Sequence, residues 1–264
     1  MQRLLYFAYG LVAYTLFLGV FTYLIGFMGN FFVPRSIDGP ISDPWWLALA
    51  VNTGLILLFG LQHSIMARPT FKRWWTRYIP APIERSTYVL LSSLALILLV
   101  WQWRPLGPVL YVIEYQPAVI ALHALMVGGA LAVVATTFLI DHFELVGVKQ
   151  VWRHLRGTEA RPHRFVTPGP YRFVRHPLYV AWLIMFWATP TMTAAHLVFA
   201  LGMTAYILLA IPLEERNLQE VHPEYAGYRR RTPMLFPRFF AGRLPVPAAS
   251  KPAAGLIDSE SIHT

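Results

Sequence analysis

Five stretches of the chain contain no aspartate, glutamate, lysine or arginine. They run from Leu4 to Pro34, from Pro44 to Ala67, from Ser86 to Trp103, from Tyr115 to Ile140 and from His176 to Leu213. A helix that crosses a bilayer needs about 20 predominantly apolar residues. Only 13% of the residues are charged, whereas a soluble domain has about 25%. The sequence therefore excludes a soluble globular protein and predicts an integral membrane protein.

The last of these stretches has 38 residues, which is too long for one span. The tripeptide Thr189-Pro190-Thr191 interrupts it, so we expect a helical hairpin with arms near 177–191 and 194–213. The first arm is short for a full crossing. Four further spans are expected near 4–28, 44–67, 86–103 and 115–140. The predicted fold is an all-α membrane bundle of about six segments, in which the last two form the hairpin.

The distribution of lysine and arginine predicts the orientation. The 68–85 loop contains five of these residues, the 141–175 loop seven and the tail from 214 seven, whereas the N-terminus and the 29–43 and 104–114 loops have one each. Cytoplasmic loops are enriched in lysine and arginine. We therefore expect both termini in the cytoplasm.

Composition also limits the organisation and the partners of the chain. It contains no cysteine, which excludes disulfides, thiolate metal sites and a cysteine nucleophile. We predict no bound metal. We also predict no nucleic-acid partner, because binding to anionic lipid headgroups explains the basic, aromatic 68–85 loop. We divide the chain into four N-terminal helices (1–140), a cofactor loop with the hairpin and a C-terminal binding segment (141–244), and a disordered tail (245–264).

Two polar groups flank the apolar hairpin. Arg175-His176-Pro177 precedes it and Glu214-Glu215 follows it. Taken alone, the first is typical of a chain entering the membrane, with Pro177 at the first helical position, and the second of a helix leaving it. Because the hairpin returns the chain to the leaflet it left, the two groups are expected to lie together. Such a cluster suits a zwitterionic ligand at the membrane boundary.

These residues also carry a family resemblance. The run His163-Arg164-Phe165-Val166-Thr167-Pro168-Gly169-Pro170-Tyr171, the run Arg175-His176-Pro177-Leu178-Tyr179, the glutamate pair and the Tyr225/Tyr228 pair resemble the isoprenylcysteine carboxyl methyltransferases over residues 163–237. The whole chain is more similar to the bacterial methanethiol S-methyltransferases, within a group that includes the NnrU-like membrane proteins. The pieces that carry this likeness are 61–69, 72–75, 84–88, 101–105 and 140–145.

The resemblance implies an activity, a co-substrate and a binding site. The expected reaction transfers the methyl group of S-adenosylmethionine to methanethiol, a small thiol, and gives dimethyl sulfide and S-adenosylhomocysteine. The glutamate pair, with Glu215 the closer match, is expected at the amine or ribose of the donor. The implied cofactor-binding residues are His163, Arg164, Phe165, Val166, Thr167, Gly169, Tyr171, Arg175, His176, Pro177, Tyr179, Glu214 and Glu215.

The chain departs from the isoprenylcysteine enzymes just before the glutamate pair. The isoprenylcysteine enzymes carry arginines at this place. Residues 209–213 of this chain instead read Leu-Ala-Ile-Pro-Leu and have no charge. A site without a cation is poorly suited to a carboxylate acceptor, so this difference favours a small neutral thiol.

Thiol methylation requires the thiolate, and a cysteine-like thiol has a pKa of about 8.5. A base or a positive charge near the acceptor is therefore expected. Our order of candidates is Asp141 and Glu144, then His63, then Arg85 as an electrostatic stabiliser with Tyr88 as a hydroxyl partner. The sequence does not choose among them, and His123 and His196 are interpreted as structural.

Other functions stay open from the sequence alone. They are methylation of a lipid amine or of a prenylcysteine carboxylate, a sterol-type reductase, and a non-enzymatic NnrU-like protein or transporter. A transporter is disfavoured because few ionisable residues are expected at mid-membrane and no internal repeat is visible.

Overall fold

The computed structural model describes residues 1–159 and 165–237. Within these residues, five helices are long and apolar enough to cross a membrane. They are α1 (Gln2–Gly29), α2 (Trp45–Met66), α4 (Glu84–Gln102, preceded by a 3₁₀ turn at Ala81–Ile83), α5 (Gln116–Ile140) and α9 (Ala194–Val221). The prediction of an all-α membrane bundle is confirmed, and the chain is an integral membrane protein.

Shorter elements connect the spans. They are α3 (Pro69–Trp75), α6 (His142–Leu145), α7 (Val148–Arg156), α8 (Pro177–Trp187) and α10 (Tyr225–Arg231), with a 3₁₀ turn at Gly169–Arg172 and two short strands, β1 (Val109–Val112) and β2 (Thr191–Thr193). The predicted tail 245–264 lies outside the described residues, and the division of the chain at 140/141 stays a prediction.

The core lies between α1, α2, α4, α5, α8 and α9, where α5 packs on α8, α4 packs on both α1 and α2, and α2 also packs on α9. Phe27, Trp103, Phe186 and Phe199 meet there edge to face and are buried. The outward faces carry exposed leucine and isoleucine side chains. This pattern fits a bilayer, whose hydrocarbon favours apolar side chains on the outside of the bundle.

The first hairpin arm differs from the expected helix over 177–191. Helix α8 has 11 residues, which span about 16 Å of a hydrocarbon core about 30 Å thick. The chain then continues in extended form, and β2 pairs antiparallel with β1. Thr193 also donates a hydrogen bond to Asp38. The extended residues after α8 cover the distance that the short helix does not span. The arm thus reaches the end of the bundle where the 29–44 and 103–115 loops lie.

The second arm is longer than expected. Helix α9 continues past Pro212 to Val221 and does not end near 213. Proline removes one backbone hydrogen bond and is disfavoured in the interior of a helix. Here the helix nevertheless continues without interruption through Pro212. Glu214 and Glu215 therefore lie on a continuous helix with fixed side-chain directions, and are not part of a flexible exit.

Candidate active site

The entry of the hairpin is tied to the C-terminal segment by backbone hydrogen bonds. Pro177 occupies the first turn of α8, as the sequence predicts. Just before it, the backbone N–H groups of Arg175 and His176 donate to the carbonyl oxygens of Pro233 and Met234, at 2.8 and 3.1 Å. These bonds fix both side chains against α9.

Glu215 is the centre of a buried ion cluster and is only 2% exposed. Its Oε1 accepts hydrogen bonds from Arg175 Nε at 2.6 Å and from His176 Nε2 at 3.0 Å, and its Oε2 lies 2.9 Å from Arg229 Nε. A buried carboxylate needs this kind of pairing, because the free energy cost of burying an uncompensated charge is several kcal/mol. Glu215 is therefore fully engaged within the protein.

Arg175 extends the cluster to α10. Its Nη1 donates to the carbonyl oxygens of Thr232 at 2.5 Å and Arg229 at 3.1 Å. The planar guanidinium presents several donors in a fixed arrangement, so one side chain joins the hairpin entry, α9 and the end of α10. Sequence reasoning missed Arg229, because its place in the run Arg229-Arg230-Arg231 is typical of a solvated surface.

Glu214 has a different environment from its neighbour. The Tyr179 hydroxyl donates to its Oε2 at 2.7 Å, His176 Nδ1 lies 3.9 Å from the same oxygen, and 46% of the Glu214 side chain is exposed. Of the two glutamates, Glu214 is therefore the one whose carboxylate is exposed.

An aromatic wall borders this cluster. The Phe165 ring contacts the rings of His222, Tyr225 and Tyr228, with centroids 5.8, 5.8 and 5.4 Å apart. The Tyr228 hydroxyl donates to the Tyr171 carbonyl at 2.5 Å. His222 was not predicted, since a single histidine in a polar segment gives no signal for this contact.

Burial keeps the tyrosines of this wall neutral at physiological pH. It raises the pKa of Tyr228 to about 12 and also raises the pKa values of the Tyr171 and Tyr225 hydroxyls. The Tyr225 hydroxyl is buried and has no hydrogen-bond partner among the described residues. It lies beside Glu215, whose negative charge raises the pKa of this hydroxyl further. These hydroxyls can therefore donate hydrogen bonds but do not act as bases.

A second polar cluster lies where α2, α4 and α9 meet. The Tyr88 hydroxyl is 2.8 Å from His63 Nε2 and the Ser92 hydroxyl is 3.1 Å from His63 Nδ1. The rings of Phe59 and Tyr206 pack on the imidazole, with centroids 5.3 and 6.3 Å from it. The structure thus brings together His63 and Tyr88, two of the residues proposed from the sequence for catalysis.

Arg85 joins this cluster to α6, the short helix after α5. Its guanidinium carbon lies 4.7 Å from the centroid of the Tyr88 ring, and its Nε donates to the Leu145 carbonyl at 2.7 Å. A cation over an aromatic face is favourable by about 0.5–2 kcal/mol. Arg85 therefore contacts the Tyr88 ring and also binds the C-terminal end of α6.

Asp141 and Glu144 are engaged in ion pairs with α7. Asp141 caps α6 by accepting from the Glu144 N–H at 3.2 Å and is paired with Lys149, while Arg153 Nη2 contacts both Glu144 carboxylate oxygens at 2.6 Å. These bonds connect the end of α5 to α7. Their contribution to catalysis stays a prediction.

Comparison with known proteins decides the family. The chain is 49% identical to a methanethiol S-methyltransferase of Crocosphaera subtropica, over 87% of this chain and 90% of the relative. It is 50% identical to methanethiol S-methyltransferase 2 of Bradyrhizobium diazoefficiens, over 91% and 93%, and 47% identical to a methanethiol S-methyltransferase of Mycobacterium tuberculosis, over 90% and 98%. The chain belongs to the methanethiol S-methyltransferase family.

Membership of the methanethiol S-methyltransferase family confirms the resemblance stated from the motifs. The model of a family described as phospholipid methyltransferase also matches residues 123–224, which include α8, both glutamates and the segment between α5 and α8. No solved structure matches the chain.

The remaining residues expected in the donor site of a methanethiol S-methyltransferase fall into two groups. His163 and Arg164 lie outside the described residues. Val166 is exposed, Thr167 is half-buried and Gly169 adopts φ +50° at the start of the 3₁₀ turn, where an L side chain would be strained. Among residues 1–159 and 165–237, no three histidine, aspartate or glutamate side chains are arranged to hold a metal ion.

Proposed function

We propose that this protein transfers the methyl group of S-adenosylmethionine to methanethiol and releases dimethyl sulfide. The exposed Glu214 carboxylate carries the proposal, because it lies beside Tyr179 and His176 at the entry of the hairpin, where a ligand can reach it. The names of the relatives, all with coverage of most of this chain, support methanethiol as the acceptor.

The residues present fit the donor. S-adenosylmethionine carries positive sulfonium and amine groups, and it supplies the activated methyl group. Glu214 would bind the amine or the ribose hydroxyls, and the buried Tyr225 hydroxyl is a donor without a partner among the described residues. Phe165 would hold the adenine beside the aromatic wall. Glu215 would keep Arg175 and His176 in place and would not contact the donor itself.

The composition of α9 favours a neutral acceptor. Residues 209–213 carry no charge, and the next side chain is the Glu214 carboxylate. A second carboxylate on the acceptor would be repelled by Glu214 and would find no cation in this stretch. A small thiol is neutral when it enters an apolar pocket, so the surroundings do not oppose its binding.

A pocket that excludes water favours this methyl transfer. The thiolate and the sulfonium carry opposite charges that cancel as the reaction proceeds, so charge is lost in the transition state. The residues of the chain then have two tasks, which are alignment of the acceptor with the methyl group and removal of the thiol proton. For the proton we propose His63 with Tyr88 ahead of Asp141 and Glu144, since the last two are held in ion pairs with α7.

The proposed location is the bacterial inner membrane, with both termini in the cytoplasm. The support is the alternation of basic and neutral loops. The Glu215 cluster lies at the end of the bundle that carries the basic loops, where a cytoplasmic donor would reach it.

A direct test uses purified protein in detergent micelles with methyl-labelled S-adenosylmethionine and methanethiol. We expect labelled dimethyl sulfide in the headspace. Glu214→Gln is expected to lower the rate by at least about 10-fold, whereas Glu220→Gln, an exposed carboxylate on the same helix, serves as the matched control. Absence of product from the wild type at every pH tested contradicts the proposal.

A second candidate function is methylation of a lipid amine. The phospholipid methyltransferase match over residues 123–224 favours it. The same assay with vesicles of phosphatidylethanolamine as the acceptor distinguishes the two, because label then appears in the lipid phase and not in the headspace.

A further inference from the structure

We infer that the polar cluster between α2, α4 and α9 is the acceptor pocket, in which His63 takes the proton of a small thiol and Tyr206 forms the wall that limits acceptor size. We call it the acceptor cluster and define it by His63, Tyr88, Ser92, Tyr206 and Gln62. The inference rests on the proposed function and deepens it, since it places the second substrate.

The first support is the presence of so many polar groups inside apolar helices. His63, Tyr88 and Ser92 form a connected hydrogen-bond group, and Tyr88 and Ser92 are buried. Polar residues within membrane helices are costly and mark functional sites. The group also contains an unsatisfied atom, because the buried Gln62 Oε1 has no hydrogen-bond partner among the described residues, while its Nε2 lies 3.3 Å from the Ser92 hydroxyl.

The second support is the arrangement around the imidazole. Hydroxyl groups hold both ring nitrogens of His63, and a hydroxyl can serve as donor or acceptor. The cluster therefore accommodates the neutral ring and can rearrange when the ring gains a proton. Arg85 lies over the Tyr88 ring and adds a positive charge, which favours a thiolate nearby and disfavours a lasting imidazolium at His63.

The third support is the connection to the donor side. Glu214 follows Tyr206 by about two turns on α9, so the carboxylate proposed to hold the donor stands on the helix that also carries one wall of the acceptor cluster. In this arrangement the two substrates meet between Glu214 and His63. Phe59 and Tyr206 line it with aromatic carbon, which suits a methyl group and a sulfur atom.

The fourth support is the close contact between Gly60 and Tyr206. A Cβ at position 60 would lie 2.9 Å from Tyr206 Cδ2 and 3.4 Å from Cε2. Such a contact forces the ring to move, and the ring lies against His63. The absence of a side chain at position 60 therefore allows the Tyr206 ring to occupy its position beside His63. On the same helix, nothing lies within 4 Å of a Cβ built at Gly54, which makes Gly54→Ala a matched control.

The proposed step is balanced in atoms and charge. The thiol proton passes to a ring nitrogen of His63, and a sulfur lone pair forms the bond to the methyl carbon. The bond between that carbon and the sulfonium sulfur breaks, and its electron pair stays on the leaving sulfur. Dimethyl sulfide, the methylated product, departs. The imidazolium of His63 then releases its proton to water.

The first experiment measures initial rates of dimethyl sulfide formation. His63→Ala is expected to lower kcat/KM for methanethiol by about 100-fold or more, with unchanged affinity for S-adenosylhomocysteine. The loss should be much smaller with methaneselenol, a more acidic acceptor that needs less help from a base. His123→Ala, a half-buried histidine on α5, is the control. An equal loss with both acceptors, or no loss, overturns the role of His63.

The second experiment measures acceptor binding without the donor. Saturation transfer from the protein to the methyl protons of methanethiol is expected for the wild type and for Gly54→Ala, and is expected to weaken in Gly60→Ala. In rate assays, Gly60→Ala should lose more activity with ethanethiol than with methanethiol. If Gly60→Ala and Gly54→Ala behave alike, the acceptor pocket lies elsewhere. Wild-type protein that binds S-adenosylhomocysteine and forms dimethyl sulfide upholds the proposed function even then.

Discussion

Glu215 and Arg175 lie 40 residues apart in sequence, yet Arg175 Nε donates to Glu215 Oε1 at 2.6 Å in the interior of the protein. The pair joins the two arms of the hairpin at one membrane face. It also connects them to α10, because Arg175 donates further to the carbonyls of Thr232 and Arg229. The proposed donor site therefore depends on an ion pair that is itself buried.

Removal of Arg175 is expected to destabilise the protein. Arg175→Ala leaves the Glu215 charge with fewer partners, and breaking a buried pair in this way costs about 3–5 kcal/mol. Arg175→Lys should recover little of the loss, since an ammonium does not reproduce the planar set of donors. Thermal unfolding in detergent micelles tests this, and an unchanged Tm for Arg175→Ala contradicts it.

The two glutamates are expected to respond differently to the same substitution. Glu214→Gln should weaken S-adenosylhomocysteine binding by about 10-fold or more and leave the Tm nearly unchanged, because Glu214 is half-exposed. Glu215→Gln should lower both the affinity and the Tm, because it removes the charge at the centre of the cluster. Calorimetric titration and thermal unfolding separate the two effects. A loss of affinity confined to Glu215→Gln assigns the donor contact to Glu215 instead.

Alkaline pH is expected to destabilise the protein through Tyr228. Its pKa is raised by burial to about 12, from an ordinary value of 10.0. The unfolded chain therefore loses this proton at lower pH than the folded chain, and the stability falls as the pH rises from about 10 to about 12. Tyr228→Phe should show a shallower decline of Tm over this range. Parallel declines for the two proteins count against a buried, neutral Tyr228.

Acid pH is expected to act through His142. Burial lowers the pKa of this imidazole below its ordinary value of 6.5, and its ring nitrogens lie near the Tyr14 and Thr137 hydroxyls, at 3.0 and 2.8 Å. The unfolded chain takes up a proton first as the pH falls, so stability is lost below about pH 6.5. His142→Gln should reduce the difference in Tm between pH 7.5 and pH 5.5, and an unchanged difference refutes this.

Asp141→Asn is expected to retain activity. The asparagine side chain can still cap α6 in place of the carboxylate that accepts from the Glu144 N–H, and only the ion pair with Lys149 is lost. We expect a rate for methanethiol within about 3-fold of the wild type. A fall of 100-fold would support Asp141 as the base, as in the order of candidates derived from the sequence.

The site illustrates how far the motifs reach. The pairing of Arg175 and His176 with the glutamates was expected, because a hairpin returns the chain to the leaflet it left. The different environments of Glu214 and Glu215 were not, because adjacent residues on a helix point about 100° apart and only the packing decides which one is buried. Arg229 could not be selected from three consecutive arginines for the same reason.

The sequence by itself determined that the chain spans a membrane, since apolar stretches of bilayer length have no other stable surroundings, and its motifs determined the family. Only the tertiary structure decided where α9 ends and which side chains surround His63. It also decided that residues 188–193 continue in extended form where α8 is too short to cross the membrane. Those outcomes depend on contacts between segments that are distant in the chain, such as β1 with β2 and α2 with both α4 and α9. The energies of such contacts are set by distance and burial, which no local pattern of residues specifies.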